Sequence, residues 1–264
     1  MVRACLQATR GLMNDYDLIA PFYDAEHAGF HEDLDMYQNY AELCGGRILE
    51  LACGSGRVLL PLAQAGYELT GVDNSAEMLQ LARQTLTGAG VAQRCTLIQQ
   101  DIVTLKLEQK FRLAFVALGS FAHITKRQEQ QKALLAVRNH LSRGATFILD
   151  ISNADARYME DLSGQVLHQG TWQQQDGTML THFVSPASAN DRHLLELTHF
   201  YERHQQNGPV QRTVVTTHLY LFEKNEIELL LESAGFVVKD IYGDYEMGPY
   251  QLEAPRMVCL AEAR

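Results

Sequence analysis

The stretch ELACGSGR at residues 50–57 has the composition of a ligand-binding loop. It continues the apolar run RILELAC, which predicts a strand, and precedes RVLLPLAQAG, which predicts a helix. Gly54 and Gly56 permit positive φ angles and let a ligand approach the backbone more closely than a Cβ would allow. Ligands of open α/β sheets bind at the carboxyl ends of strands, where this loop would lie. The loop can therefore hold a pyrophosphate, hold another nucleotide-like cofactor, or serve only as a tight turn.

Two acidic residues at the ends of the next two predicted strands narrow the choice of ligand. Asp73 ends the second strand, about 20 residues after the first glycine, where a carboxylate can accept hydrogen bonds from ribose hydroxyls. Asp101 closes CTLIQQD and could accept from an adenine amine, while the Ile102 amide donates to a ring nitrogen. Leu59 stands where a dinucleotide-binding loop has its third glycine, which disfavours a pyrophosphate. The pattern thus favours a ribose-containing cofactor.

The segments ELACGSGR, GVDNSAEML and QQDI resemble the first three motifs of class I S-adenosylmethionine-dependent methyltransferases. FRLAFVALGSFAHI falls where that family has its fourth strand and the following loop. The resemblance covers residues 16–151 and resumes at 224–263. Arg57 stands where the family usually has a third glycine, a variant common among its members. The resemblance implies S-adenosyl-L-methionine as cofactor and S-adenosyl-L-homocysteine as product.

The resemblance also implies contacts to the adenosine part of the cofactor. Asp73, followed by Asn74, would hold both ribose hydroxyls, although an acid at a strand end is also common without a ligand. Met78 would lie against the adenine, with an ordinary core position as the alternative. Asp101 and Ile102 would bind the adenine edge.

The methionine part of the cofactor would contact the first glycine loop and the loop after the fourth strand. Leu118, with Gly119 beside it, would accept a hydrogen bond from the cofactor amine through its carbonyl. The stretch YDLIAPFYD resembles the N-terminal segment whose tyrosines close over the cofactor in many small-molecule methyltransferases. The remaining residues implied by these comparisons are Tyr16, Tyr23, Ala52, Gly54 and Gly56.

The acceptor side offers weaker candidates. His123 lies in the loop after the fourth strand and could act as a base or a positioning group; the alternative is a histidine bonded to backbone. Trp172 could line a substrate pocket or anchor an inserted sheet, and we favour the anchor. Tyr220 and Arg256 are further substrate candidates. No metal-site spacing is present, and most histidines of the inserted segment are expected on its polar face: His168, His182, His193, His199, His204 and His218.

Alternating strand and helix patterns predict an α/β fold, a Rossmann-like, doubly wound and mostly parallel sheet of seven strands. Helix RQEQQKALLAVRNHLSRG is expected to end at Gly144, followed by strand ATFILDIS at 145–152. From residue 165 to 222 the runs are β-rich without a helix between them, which predicts an inserted antiparallel β cap for substrate or oligomer contacts. The predicted organisation is an N-terminal helical segment 1–46, a cofactor-binding domain 47–164 and 223–264, and the cap 165–222.

Composition limits the partners. A formal net charge of -10 and the lack of a basic patch argue against nucleic acid and against an anionic membrane surface. The N-terminus has no signal-peptide core, and no apolar run reaches the roughly 20 residues that span a bilayer. The cysteines, among them Cys5, are scattered and odd in number, which predicts a reducing cytoplasm rather than a disulfide framework. A homodimer through the cap is a further expectation.

These observations predict an enzyme that transfers a methyl group to a small-molecule acceptor by in-line displacement. Nitrogen is favoured over oxygen or carbon as the acceptor atom, because the inserted sheet and N-terminal tyrosines resemble N-methyltransferases of nucleotide-linked amino sugars and, more loosely, glycine and sarcosine N-methyltransferases. Three alternatives stay open: a sensor or scaffold that binds the cofactor without transfer, a nicotinamide-dependent oxidoreductase, and a macromolecule methyltransferase.

Overall fold

The computed structural model describes residues 14–27, 29–153, 162–174, 176–188, 191–205 and 208–264. Residues 1–13 of the predicted N-terminal segment, and Cys5 with them, lie outside this range. Within it the helices are α1 (Asp15–His27), α2 (Leu34–Cys44), α3 (Leu59–Gln64), α4 (Ala76–Gly88), α5 (Arg127–Asn139) and α6 (Lys224–Ser233). The strands are β1 (Ile48–Leu51), β2 (Leu69–Asp73), β3 (Cys95–Gln99), β4 (Phe111–Val116), β5 (Leu141–Ser152), β6 (Leu167–Gln173), β7 (Met179–Ser188), β8 (Leu194–His204), β9 (Gln211–Tyr220), β10 (Phe236–Tyr242) and β11 (Arg256–Ala263).

The main sheet has seven strands in the order β10-β11-β5-β4-β1-β2-β3. Strands β5, β4, β1, β2 and β3 are parallel, whereas β11 runs antiparallel to both of its neighbours. Strands β1 and β4 are buried along almost their whole length, as expected for a sheet covered by helices on both faces. The chain reverses its winding between β1 and β4, and such switch points are where doubly wound sheets bind ligands. The predicted fold class is confirmed.

The inserted segment forms a separate four-stranded antiparallel sheet in the order β6-β7-β8-β9. Its register places His182 of β7 opposite Tyr201 of β8, and Leu197 of β8 opposite Thr217 of β9. Because side chains alternate along a strand, these residues share one face of the cap with Leu180. We call this the inner face of the cap.

Helix α1 packs against α4 of the main domain on one side and against β6 and β9 of the cap on the other. Its residues Ile19, Ala20 and Phe22 are buried with Leu180 of the cap in one apolar cluster. Phe22 also stacks on Tyr201, with 4.4 Å between the ring centroids. No helix within the described part of the chain is long and apolar enough to span a membrane.

The prediction that α5 continues to Gly144 is wrong, because this helix ends at Asn139 and β5 begins at Leu141. The tertiary partners of His140 account for the change. Its ring accepts a hydrogen bond from the Leu107 amide at Nε2, and its carbonyl accepts from the Phe111 amide. Because of these bonds, β5 begins to pair with β4 at Leu141, four residues before the predicted start of the strand at residue 145.

A matched pair of glycines tests the packing of the central strands. A Cβ on Gly71 of β2 would lie 2.7 Å from Leu59 Cδ1 and 2.9 Å from Cys53 Sγ, whereas a Cβ on Gly88 of α4 would have no atom within 4 Å. We expect Gly71→Ala to lower the free energy of unfolding by about 1–3 kcal/mol through overpacking. Gly88→Ala should raise it by roughly 0.5–1 kcal/mol. Urea denaturation midpoints measure both, and equal midpoints for the two variants would refute this packing.

Candidate active site

The loop after β1 is strongly bent. The backbone at Ala52, Gly54 and Gly56 has φ angles of 54°, 52° and 85°. Such angles are easy for glycine but uncommon for alanine, and residues held in this region cluster at ligand sites. Ala52 and Gly54 line a cavity between the carboxyl ends of the central strands, α1 and the cap. Gly56 does not line it: the space of its missing Cβ points at Ala82 of α4, 3.4 Å away, so this glycine lets the loop approach a helix.

Arg57, in the position of the usual third glycine, faces away from the cavity. Its guanidinium donates to both carboxylate oxygens of the fully buried Asp33 and to the Phe30 carbonyl. The same guanidinium lies 5.2 Å from the centre of the Phe30 ring. Arg57 therefore joins the glycine loop to the start of α2.

Asp73 lies at the carboxyl end of β2, next to the glycine loop. One carboxylate oxygen accepts from the Gly54 amide and the other from the Ser75 amide, both at 2.8 Å. Burial raises the pKa of Asp73, and the hydrogen bonds from these backbone amides oppose the rise. The carboxylate thus sets the spacing between the glycine loop and the N-terminus of α4 while it lines the cavity.

The residues predicted to contact adenosine lie together on this side of the cavity. Asn74, Met78, Asp101 and Ile102 all line it, in addition to Asp73. Met78 is almost fully buried and also belongs to the apolar cluster under α1. Asp101 accepts from the amide of Val103 at 2.8 Å, which fixes its carboxylate at the end of β3.

The loop after β4 holds a second strained residue. Leu118 has a φ of 51° and Gly119 a φ of 73°, and both line the cavity. Asp150 of β5 holds them: its carboxylate accepts from the Leu118 amide at 2.8 Å and its carbonyl from the Gly119 amide at 3.1 Å. The position of the Leu118 backbone at the cavity therefore depends on hydrogen bonds to Asp150 of β5.

Arg256, expected among the substrate contacts, does not line the cavity. Its Nε donates to the buried Asp150 carboxylate at 2.5 Å, and Tyr245 donates to the same carboxylate at 2.9 Å. A buried carboxylate needs such partners, since removing one of them leaves an uncompensated charge. Arg256 therefore supports the Leu118 loop from behind and does not face the acceptor space.

Helix α1 places its tyrosines over the cavity. Tyr16 and Tyr23 both line it, and the Tyr16 hydroxyl lies 2.8 Å from Nε2 of His123. Burial raises the pKa of both tyrosines, so each phenol keeps its proton. Asp17 attaches the helix to the site by accepting from the Ser75 hydroxyl at 2.6 Å.

His123 lies in the short turn Ser120–His123 and is a neutral imidazole near neutral pH. Burial lowers the pKa of His123 from 6.5 to about 4, and a hydrogen bond with the His218 backbone opposes this shift. The ring also packs edge-on against Tyr16, with 5.1 Å between the ring centroids. His123 therefore faces the cavity, as a base or positioning group would, and is also hydrogen-bonded to backbone, as the alternative prediction states.

The cap completes the cavity, which has a volume of about 680 Å³. Most cap histidines are expected on its polar face; His182 and His199 are exceptions, because they line the cavity from the inner face. The reason is their position along the strands: each lies two residues from apolar side chains, as His199 does from Leu197 and Tyr201, and therefore points to the same face of the sheet. That alternation was visible in the sequence.

The other two substrate candidates fall in different places. Tyr220 lines the cavity, and its hydroxyl donates to Glu226 of α6 at 2.8 Å. Trp172 does not line the cavity; it packs in the apolar cluster between α1 and the cap, near Phe22. It occupies the anchoring position. No group of three or more potential metal ligands occurs among the residues that the structure describes.

Comparison with known proteins identifies the family. A model described as a methyltransferase domain matches residues 48–144. The chain is 30% identical over 167 residues to the demethylmenaquinone methyltransferase of Lactiplantibacillus plantarum, covering 59% of this chain and 67% of the relative. It is 28% identical over 109 residues to the glycine/sarcosine N-methyltransferase of Aphanothece halophytica, 41% of each chain. Its fold is similar to that of the sugar N-methyltransferase KedS8 from Streptoalloteichus, with a TM-score of 0.75 and 20% identity over 96% of this chain and 94% of that one.

The chain belongs to the S-adenosylmethionine-dependent methyltransferases, and its cofactor is S-adenosyl-L-methionine. This confirms the prediction made from the three motifs. The matched region, 48–144, contains the glycine loop, Asp73, Asp101 and the Leu118 turn. The relatives differ in the acceptors that their names give, so the family match leaves the acceptor of this chain to be argued from its cavity.

Asp73→Asn tests the contribution of the β2 carboxylate to cofactor binding. An amide places an NH₂ donor against one of the two backbone donors, Gly54 or Ser75, and removes the negative charge. We expect affinity for S-adenosyl-L-homocysteine to fall about 10- to 100-fold, measured by calorimetry. Asp176→Asn, in an exposed hairpin turn of the cap, is the matched control and should bind normally. Unchanged affinity in Asp73→Asn would show that the carboxylate is dispensable.

The shifted pKa of His123 predicts a dependence of stability on pH. Unfolded chains bind a proton near pH 6.5 and the folded protein only near pH 4, so stability is full above pH 6.5 and falls as pH decreases toward 4. The loss due to this residue is about 3 kcal/mol. His123→Gln should therefore flatten the urea-midpoint profile between these pH values, whereas His168→Gln, at an exposed position on β6, should leave it unchanged. A profile as steep as that of the unaltered protein would contradict a neutral, buried His123.

Proposed function

We propose that this protein methylates a nitrogen atom of a small molecule, and that the acceptor belongs to the amine class that includes amino sugars. The observation that carries the proposal is a cavity shared by two surfaces: one side, its floor, holds the residues predicted to bind the cofactor, and the opposite side, its roof, is the inner face of the cap with its imidazoles. His123 and His199 both face this space. A neutral imidazole accepts a hydrogen bond from an amine and disfavours a bound cation much less than an imidazolium would.

The residues around the floor fit S-adenosyl-L-methionine. In this proposal Asp73 accepts from the ribose hydroxyls, Asp101 and Ile102 bind the adenine edge, and the Leu118 carbonyl accepts from the cofactor amine. The open backbone at Gly54, where a Cβ would meet only the Tyr23 ring at 3.8 Å, leaves room for the methionine part. The bound cofactor supplies an electrophilic methyl group on a sulfonium.

The chain contributes alignment and exclusion of water. Helix α1 covers the site, with Tyr16 hydrogen-bonded to His123 across it. Holding acceptor and methyl group in line can supply several kcal/mol of barrier reduction without a strong base. His123 would act on the acceptor through Tyr16: a neutral ring bonded to the His218 backbone can accept at Nε2 from the Tyr16 hydroxyl, which leaves the Tyr16 oxygen lone pairs for the acceptor nitrogen.

Two of the similar proteins carry N-methyltransferase in their names, one acting on glycine and sarcosine and one on a sugar. The second also shares the fold over almost the whole chain, cap included. These likenesses support a nitrogen acceptor. A carbon or oxygen acceptor, as for the quinone named in a third relative, is the competing assignment.

Paired acceptors of the same skeleton test the assignment. We expect release of S-adenosyl-L-homocysteine, followed by mass spectrometry, with glucosamine, a nucleoside-diphosphate amino sugar or glycine, and none with glucose, the hydroxyl-bearing nucleotide sugar or glycolate. The nucleotide-linked amine should give the highest kcat/KM, because remote contacts add transition-state binding. Asp73→Asn should lower the activity with every amine, because it weakens cofactor binding. Turnover of the hydroxyl compounds, with none of the amines, would overturn the proposal.

A further inference from the structure

Three cap residues, Thr217, His199 and His182, form a hydrogen-bonded chain beside the acceptor space, and Glu26 of α1 makes an ion-pair contact with its last member. Thr217 Oγ1 lies 2.9 Å from Nε2 of His199, and Nδ1 of His199 lies 3.1 Å from Nε2 of His182. Nδ1 of His182 lies 2.6 Å from Oε1 of Glu26. We call these residues the polar chain. All four line the cavity, and Thr217 and His182 are almost fully buried.

With Glu26 ionised and both imidazoles neutral, the hydrogens of the polar chain have one consistent direction. A carboxylate accepts and does not donate, so Nδ1 of His182 must carry its proton toward Glu26. A neutral His182 then has a bare Nε2, which accepts from Nδ1–H of His199. A neutral His199 in turn accepts at Nε2 from the Thr217 hydroxyl. Thr217 is left with oxygen lone pairs for whatever occupies the cavity.

We propose that the polar chain takes the proton of the acceptor's ammonium group and delivers it to Glu26, so that the amine reaches the methyl group with a free lone pair. This inference rests on the proposed nitrogen acceptor and adds the route of its proton. Thr217 is the catalytic residue that touches the acceptor, and Glu26 acts through the residues between them.

The transfer balances at every atom. The N–H bond of the ammonium breaks, its electron pair stays on nitrogen, and the proton moves to Thr217 Oγ1. The Thr217 hydroxyl proton moves to Nε2 of His199, the Nδ1 proton of His199 to Nε2 of His182, and the Nδ1 proton of His182 to Glu26. The amine loses one proton and Glu26 gains one. Its side chain is 13% exposed, which allows the proton to leave to water.

The surroundings favour a neutral path. Burial, together with smaller electrostatic contributions from His182 and His123, lowers the pKa of His199 from 6.5 to about 4, so a proton does not rest there. Burial raises the pKa of Tyr201, which stacks on His182 with 4.3 Å between the ring centroids. The titratable and charged groups that face the polar chain from the packed elements are Tyr16, Tyr23 and His27 of α1, His123 of the turn after β4, and Tyr201, Arg203 and His218 of the cap.

Glu26→Gln separates proton uptake from structure, since the amide oxygen still accepts a hydrogen bond but cannot take the proton. With the amine that the unaltered protein methylates best, we expect single-turnover transfer to slow at least about tenfold at neutral pH. The rate should recover above the pKa of the acceptor amine, where the amine arrives already deprotonated. Affinity for S-adenosyl-L-homocysteine should not change.

Matched variants control the kinetic test. Glu202→Gln, which breaks an ion pair with Arg212 on the outer face of β8, should leave the pH profile unchanged. Thr217→Val should give the same pH-dependent loss as Glu26→Gln, and the double variant should be no slower than the slower single one, because both act on one path. Equal rates for Glu26→Gln and the unaltered protein, or a loss of the same factor at every pH, would overturn the inference.

A readout that needs no acceptor tests the geometry itself. In the ¹⁵N-histidine-labelled protein saturated with S-adenosyl-L-homocysteine, we expect the ring proton of His182 and of His199 on Nδ1. A proton on Nε2 of either ring would reverse the direction of the polar chain and refute the proposal. If the unaltered protein methylates no amine, the proposed function itself fails; amine methylation with an unaltered Glu26→Gln profile refutes the polar chain alone.

Discussion

The carboxylate of Asp73 is the interaction on which the rest of the site depends. It accepts from the amides of Gly54 and Ser75 and so joins the loop after β1 to the first turn of α4. Helix α1 is attached at the same point, since Asp17 accepts from the Ser75 hydroxyl. One buried charge thereby fixes the floor of the cavity and the position of the helix that covers it. Backbone amides compensate its burial, which would otherwise be costly.

Backbone strain marks the two places where parallel strands deliver the chain to the cavity. Ala52 after β1 and Leu118 after β4 both adopt positive φ angles without being glycines. Such residues cost about 1–3 kcal/mol each, and they persist only where surrounding contacts hold them. Asp150, supported by Arg256, holds the second of them through the Leu118 amide. The buried ion pair of Asp150 and Arg256 therefore holds the Leu118 backbone, and with it the Leu118 carbonyl, in position at the cavity.

In the proposed reaction the cap supplies polar side chains to the acceptor space and also covers it. On an otherwise apolar inner face, Thr217, His199 and His182 are joined by hydrogen bonds, which offset part of the cost of burying their polar atoms. The floor of the cavity and its roof consequently have different electrostatics: carboxylates and backbone dipoles on the floor, neutral acceptors on the roof. A cationic cofactor and an amine that must lose a proton are suited to such a division.

The sequence by itself determined the sheet, its inserted cap and the cofactor side of the cavity, because Gly54, Asp73 and Asp101 follow successive strands whose carboxyl ends must meet. It did not determine the partners of residues far apart along the chain. Tertiary structure decided that α5 ends at Asn139, that Arg256 faces Asp150 instead of the acceptor, and that Glu26 meets His182. Pairings of this kind depend on which faces of a helix and a distant sheet pack together, and no local periodicity encodes them.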